Sequence, residues 1–124
     1  MTVLEVISFD QFESIVLKDS ADPNSKKYVV LDVYASWCGP CLKFAPTYEE
    51  LSNTYGDKFH FLKVNLDTVP EIKDQYGITS LPTFLLFDVG SLESPYKPIT
   101  GTNKTIIEER LKSIGKEIKI SEDF

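Results

Sequence analysis

Cysteine, histidine, tryptophan and methionine are scarce in this 124-residue chain, which holds two, one, one and one of them respectively. So little cysteine excludes a small secreted scaffold stapled by several disulfides, because such scaffolds carry more cysteines set far apart. Both thiols, Cys38 and Cys41, fall within four residues of each other, and a loop that short constrains little chain. Positive charge is also under-represented, with 13 Lys and Arg against 19 Asp and Glu and a formal net charge of −6. That balance argues against nucleic acid as the main partner, since such binding depends on cations neutralising phosphates. No apolar run approaches the ~20 residues of a membrane span, so no membrane partner is expected. Met1 to Asp10 lacks the basic region and long apolar stretch of a secretory signal, and the arginines of an organellar transit peptide. The expected location is therefore the cytoplasm.

What is present is ordinary globular sequence: 42% hydrophobic and 26% charged residues. The length suits one domain over residues 1–124 with a single core. Val3 to Ile7 predicts a short strand, and Ser8-Phe9-Asp10 opens a helix to about Lys18. Asp19 to Lys27, with Ala-Asp-Pro-Asn-Ser at its centre, reads as a loop. Tyr28 to Ala35 is nearly continuous in apolar residues, as expected of a strand buried on both faces of a sheet. From Cys38 the period changes: Cys41, Phe44, Tyr48, Leu51 and Tyr55 recur at steps of three and four and place one stripe on a helix. Pro46 removes a backbone hydrogen bond within it and predicts a kink; Gly56-Asp57 ends it. Phe59 to Asn65 predicts a strand, Val69 to Tyr76 a short helix closed by Gly77, and Thr83 to Phe87 a strand. Tyr96 to Thr100 is a weaker strand, marked as an edge by Pro95 and Pro98. The last helix, about Asn103 to Lys116, would bury Ile107, Leu111, Ile114 and Ile118. The order β-α-β-α-β-α-β-β-α implies an α/β sheet with helices on both faces, ending in an antiparallel hairpin.

On this map Cys38 lies where a buried strand ends and a long helix begins. The unpaired N–H groups and partial positive charge of a helix N-terminus favour a thiolate over a thiol. Cys41 follows one turn later on the same face, a separation that suits a disulfide. Such a pair opens and closes by thiol exchange: Cys38 attacks a target disulfide, a mixed disulfide forms, and Cys41 displaces the reduced target. Pro40 fits the first helical turn, where no donor is needed. Two other readings compete with this one. Cys-x-x-Cys is half of a zinc site, but a structural site needs four ligands and the chain offers only His60 besides; no metal is expected. The cysteines could also be buried structural residues. Asp32 is a carboxylate inside Val29-Val30-Leu31-Asp32-Val33. Burial without a partner would raise its pKa toward neutrality and suit proton transfer, although a structurally hydrogen-bonded aspartate fits the same pattern.

Trp37-Cys38-Gly39-Pro40-Cys41 resembles the active-site signature of the thioredoxin family residue for residue, and the element order resembles that family over nearly the whole chain. The resemblance implies a thioredoxin fold, a central mixed sheet of about five strands flanked by about four helices. It implies a protein-disulfide reductase, with Cys38 and Cys41 as the redox pair. Asp32 is similar in position to the family's buried aspartate, which assists proton transfer at the second cysteine, and Lys63 to the lysine near that aspartate. Lys63 could equally be a strand lysine with its charge in solvent. Leu81-Pro82-Thr83 resembles the cis-proline segment that pairs with the backbone of bound substrate, and Gly101 a glycine near the binding groove. Trp37, Gly39 and Pro40 would complete that surface. The partners implied are disulfide-containing proteins and a thioredoxin reductase. The resemblance also implies no bound cofactor, with NADPH used only through the reductase, and the protein is expected to act as a monomer.

The chain departs from the family pattern in three places. Leu42 stands where Lys or Arg commonly follows the second cysteine, and Lys43 is rotated ~100° away, which implies a more apolar rim. Tyr34 replaces a common tryptophan. The segments 19–27 and 90–98 look long. An oxidant or isomerase, as in protein disulfide isomerase domains, is opposed by Gly39-Pro40, because those domains usually carry a histidine between the cysteines. A redox-switched binding module is the alternative from another class. Asn103-Lys104-Thr105 matches a glycosylation sequon, but Asn103 or Thr102 as a helix N-cap explains it better.

Overall fold

A computed structural model describes residues 3–18, 26–94 and 96–122, with side chains as far as 115. The elements are β1 (Val3–Val6), α1 (Phe9–Leu17), β2 (Tyr28–Tyr34), α2 (Gly39–Tyr55), β3 (Phe59–Asn65), α3 (Glu71–Tyr76), β4 (Thr83–Asp88), β5 (Ile99–Thr100) and α4 (Lys104–Glu122). Their order is the one the periodicities imply. The strands form one mixed sheet in the order β1-β3-β2-β4-β5. β3 runs parallel to both β1 and β2, while β4 is antiparallel to β2 and β5 to β4.

β2 lies at the centre, and its alternation divides the core. Val30 faces a cluster with Phe44, Tyr48, Phe61, Phe84 and Leu111, which packs α2 and α4 on one face. Val29, Leu31 and Val33 face Phe12, Val16 and Ile72, which packs α1 and α3 on the other. A fully buried Phe, Leu or Val contributes roughly 1.5–3 kcal/mol, so this central strand tolerates one polar residue. That residue is Asp32, which by alternation shares the face of Val30 and lies beneath α2.

Local chemistry sets the boundaries. Ser8 caps α1, its side chain accepting from the Gln11 N–H. Asn103 caps α4, its Oδ1 accepting from the Ile106 N–H at 3.2 Å. Gly77 ends α3 in the left-handed region at φ 62°. α2 continues through Pro46 as a single helix. α3 starts at Glu71 rather than Val69, because the residue before Pro70 is steered away from helical backbone.

Two boundaries correct the sequence reading further. The edge strand is only Ile99–Thr100. Pro98 has no N–H for a ladder, and Tyr96 instead sends its hydroxyl to Asp88 Oδ1 at 2.6 Å. α4 extends to Glu122, since Gly115 costs only ~1 kcal/mol in a helix and no proline follows. Pro95, the Ile118 side chain and residues 19–25 lie outside the described residues.

Candidate active site

The dithiol lies where the end of β2 meets the start of α2. Cys38 is the N-cap of α2 with extended backbone, and Pro40 lies in the first turn. The Cys41 N–H donates to Cys38 Sγ at 3.3 Å, so the sulfur occupies the place a capping oxygen takes in other helices. Cys38 and Cys41 form a disulfide with a Cα–Cα distance of 5.3 Å. Both are buried and pack with Ala35 against Tyr34 and Leu81. On reduction, the helix N-terminus and this N–H favour negative charge on Cys38 over Cys41.

Pro82 reaches the site through the sheet register. Thr83 pairs with Val33, which sets Pro82 beside the chain leaving β2 for the cysteines. The Leu81–Pro82 bond is cis. Two contacts fix the segment: Thr83 Oγ1 donates to the Ser80 carbonyl at 2.7 Å, and the Gly101 N–H donates to the Pro82 carbonyl at 3.1 Å. Gly101 has φ +90°, a backbone that side chains with a β carbon rarely adopt. Next to it a groove is lined by Gly39, Pro40, Lys43, Phe44 and Thr102. Trp37 is 71% exposed and Leu42 54%, so the rim presents apolar surface. The Trp37 indole is held from below, its Nε1–H donating to Asp67 Oδ2 at 3.0 Å.

Asp32 lies beneath the dithiol's helix, 6% exposed. Its neighbour in β3 is Lys63 and its neighbour in β4 is Phe84, so it has a cation on one side and an aromatic ring on the other. Among the described residues its Oδ1 has no hydrogen-bond partner. Burial pushes its pKa from 3.8 up to about 7; Lys63 opposes the rise and Glu5 adds to it. A carboxyl in that range exchanges protons near neutral pH. Among the described residues, Asp32 Oδ1 therefore lacks the hydrogen bond that a structurally held aspartate would make there.

The ion pair Lys63 makes is with Glu5, at 3.7 Å, and its ammonium lies 5.9 Å from the centroid of the Tyr34 ring. The structure thus gathers Asp32 and Lys63 on one face below α2, and the dithiol, Leu81 and Pro82 above. His60 pairs with Val29 near the start of β2, at the far end from the cysteines. Among the described residues no group of three or more His, Cys, Asp and Glu could hold a metal, and no helix is long and apolar enough to cross a membrane.

Asp67 and Glu5 escaped the sequence reading. The signal for Glu5 was a carboxylate inside a short apolar strand. For Asp67 it was an acidic residue just past the end of β3, the strand that carries Lys63.

A helix-capping dithiol beside a proline strand, over a buried carboxylate on a five-stranded mixed sheet, defines a thiol–disulfide oxidoreductase of the thioredoxin fold. The thioredoxin family model matches residues 3–113, and the chain belongs to the thioredoxin family. It is 37% identical to thioredoxin-1 of Schizosaccharomyces pombe over 111 residues, covering 90% of this chain and 97% of that protein. It is 43% identical to thioredoxin of Acidithiobacillus ferridurans over 88 residues, 71% of this chain and 76% of that one. The solved structure of Plasmodium falciparum thioredoxin superposes with a TM-score of 0.75 at 34% identity, covering 89% and 97% of the two chains. Family and dithiol together make the chain a protein-disulfide reductase; the binding-module alternative is not favoured.

Proposed function

We propose that this chain is a cytoplasmic, monomeric single-domain thioredoxin that carries electrons from NADPH, through a thioredoxin reductase, to disulfides in other proteins. The observation that carries this reading is the Cys38–Cys41 pair capping α2 above the buried carboxyl of Asp32. In this mechanism the Cys38 thiolate attacks one sulfur of the target disulfide, and the other sulfur leaves as a thiolate that takes a proton from solvent. Cys41 then loses its proton to Asp32 and attacks Cys38 in the mixed disulfide. The second target sulfur departs, two electrons have passed to the target, and the Cys38–Cys41 disulfide is restored. Lys63 moderates the charge that develops on Asp32. Trp37, Gly39, Pro40, Leu81, Pro82, Thr83 and Gly101 bind the target chain around its disulfide, supported by the fixed Pro82 carbonyl and the exposed Trp37 ring.

The test is NADPH oxidation coupled through a thioredoxin reductase to reduction of a protein disulfide such as that of insulin. The expected result is catalytic NADPH consumption that requires this chain. Direct reduction of the target by dithiothreitol-reduced protein, with no NADPH consumption by any reductase tried, would leave the exchange chemistry and remove the proposed electron source.

A further inference from the structure

Three strands carry one row of charge across the sheet. Glu5 on β1 pairs in register with Lys63 on β3, and Lys63 with Asp32 on β2. Neighbouring strands lie ~4.8 Å apart, so one ammonium stands between two carboxyl groups. The structure does not divide it evenly: the ion pair is made to Glu5 at 3.7 Å, whereas Asp32 Oδ1 has no partner among the described residues. Glu5 is itself held in place, because the Tyr34 hydroxyl lies 2.9 and 2.8 Å from its two carboxylate oxygens. Tyr34 stands two residues beyond Asp32 on the same strand face, and its ring also faces the Lys63 ammonium.

From this geometry we infer that Glu5, clamped by Tyr34, is a positioning residue for thiol exchange: by holding the Lys63 ammonium toward β1 it leaves the Asp32 carboxyl free to trade a proton with the dithiol. The inference rests on the reading of Asp32 as the proton acceptor for Cys41. A lysine paired fully with Asp32 would favour its charged form and make it a weak base at neutral pH. Glu5 counters this twice, by diverting the cation and by adding a negative charge nearby, and both effects favour a protonatable Asp32. The other titratable groups that interact with Asp32 are Tyr34 on its own strand and Tyr48 from α2, and its β4 neighbour is Phe84; none of them carries a negative charge that would compete with Glu5 for Lys63. The Glu5 and Lys63 side chains are 38% and 36% exposed, so solvent screens the coupling and its effect is partial.

The experiment is a titration of the Asp32 carboxyl carbon by NMR in the disulfide form, where no thiol titrates beside it. The wild type is compared with Glu5→Gln and Glu5→Asp, with the pH profile of mixed-disulfide resolution measured in parallel. Glu5→Gln is expected to lower the Asp32 midpoint by about 0.5–1 pH unit and to move the resolution profile toward acid by the same amount. Glu5→Asp, which keeps the charge, should restore most of the wild-type midpoint. A Glu5→Gln midpoint that coincides with the wild type or rises overturns the inference, as does Glu5→Asp behaving like Glu5→Gln. Wild-type protein unable to reduce protein disulfides would instead sink the functional reading, with the midpoint comparison still interpretable on its own.

Discussion

Replacing Cys38 by Ser is expected to lower protein-disulfide reduction by at least about a thousandfold while leaving the fold intact. The argument is positional. Cys38 is the N-cap of α2, its sulfur accepts the Cys41 N–H, and the helix N-terminus stabilises negative charge there. Cys41, three residues past the helix cap and buried against Ala35, has no comparable site for a thiolate. A serine hydroxyl preserves the capping hydrogen bond, so stability should change by less than about 1 kcal/mol beyond the loss of the short disulfide loop. Insulin reduction at matched protein concentration reads the rate, and circular dichroism the fold. Activity within tenfold of the wild type would show that Cys38 is not the attacking thiol.

Asp32→Asn should stabilise the protein and slow it. The carboxyl titrates at 3.8 when unfolded and about 7 when folded, so the folded state binds the proton more tightly. Below pH ~3.8 both states are protonated and no penalty exists. As pH rises toward 7 the unfolded state ionises first, and stability falls; above 7 the loss is complete. A shift of that size corresponds to roughly 4 kcal/mol, reduced in the variant because a buried amide also lacks a partner. Denaturant unfolding should therefore show a gain of roughly 2–4 kcal/mol at pH 8 that shrinks to about half or less by pH 5. An equal gain at both pH values would mean that Asp32 titrates normally in the folded protein. In the same variant, resolution of the mixed disulfide should slow by about tenfold or more while the initial attack changes little; equal effects on both steps would remove Asp32 from the proton transfer.

Much of this was legible because it is local. The capping position of Cys38, the nearly continuous apolar run of β2 and the stripe along α2 are encoded by neighbours within a few residues of one another. The Asp32 position also stands out, as one carboxylate within an apolar strand. Residues joined through register were less visible. Glu5 meets Lys63 only because β1 pairs with β3 rather than with its sequence neighbour β2, and no local period discloses that order. Asp67 meets Trp37 across a separation of thirty residues. Family resemblance alone brings Pro82 and Gly101 separately to the binding groove, and the hydrogen bond between them is the physical link that no local pattern discloses. Tyr96 has the composition of a strand residue, yet its hydroxyl anchors it to Asp88, and the edge strand is accordingly shorter than the sequence pattern implies.

Leu42, like Trp37, is a large exposed apolar side chain, whereas the neighbouring Lys43 lines the groove with Pro40 and Thr102. Cation and apolar surface thus lie at different points near the start of α2.

The most direct measurement is the mass of the Cys41→Ser protein after it is mixed, reduced, with a disulfide-bonded target. The account predicts a stable adduct of one target per chain, linked by a disulfide through Cys38 and released by dithiothreitol. No adduct, or turnover equal to the wild type, would contradict it.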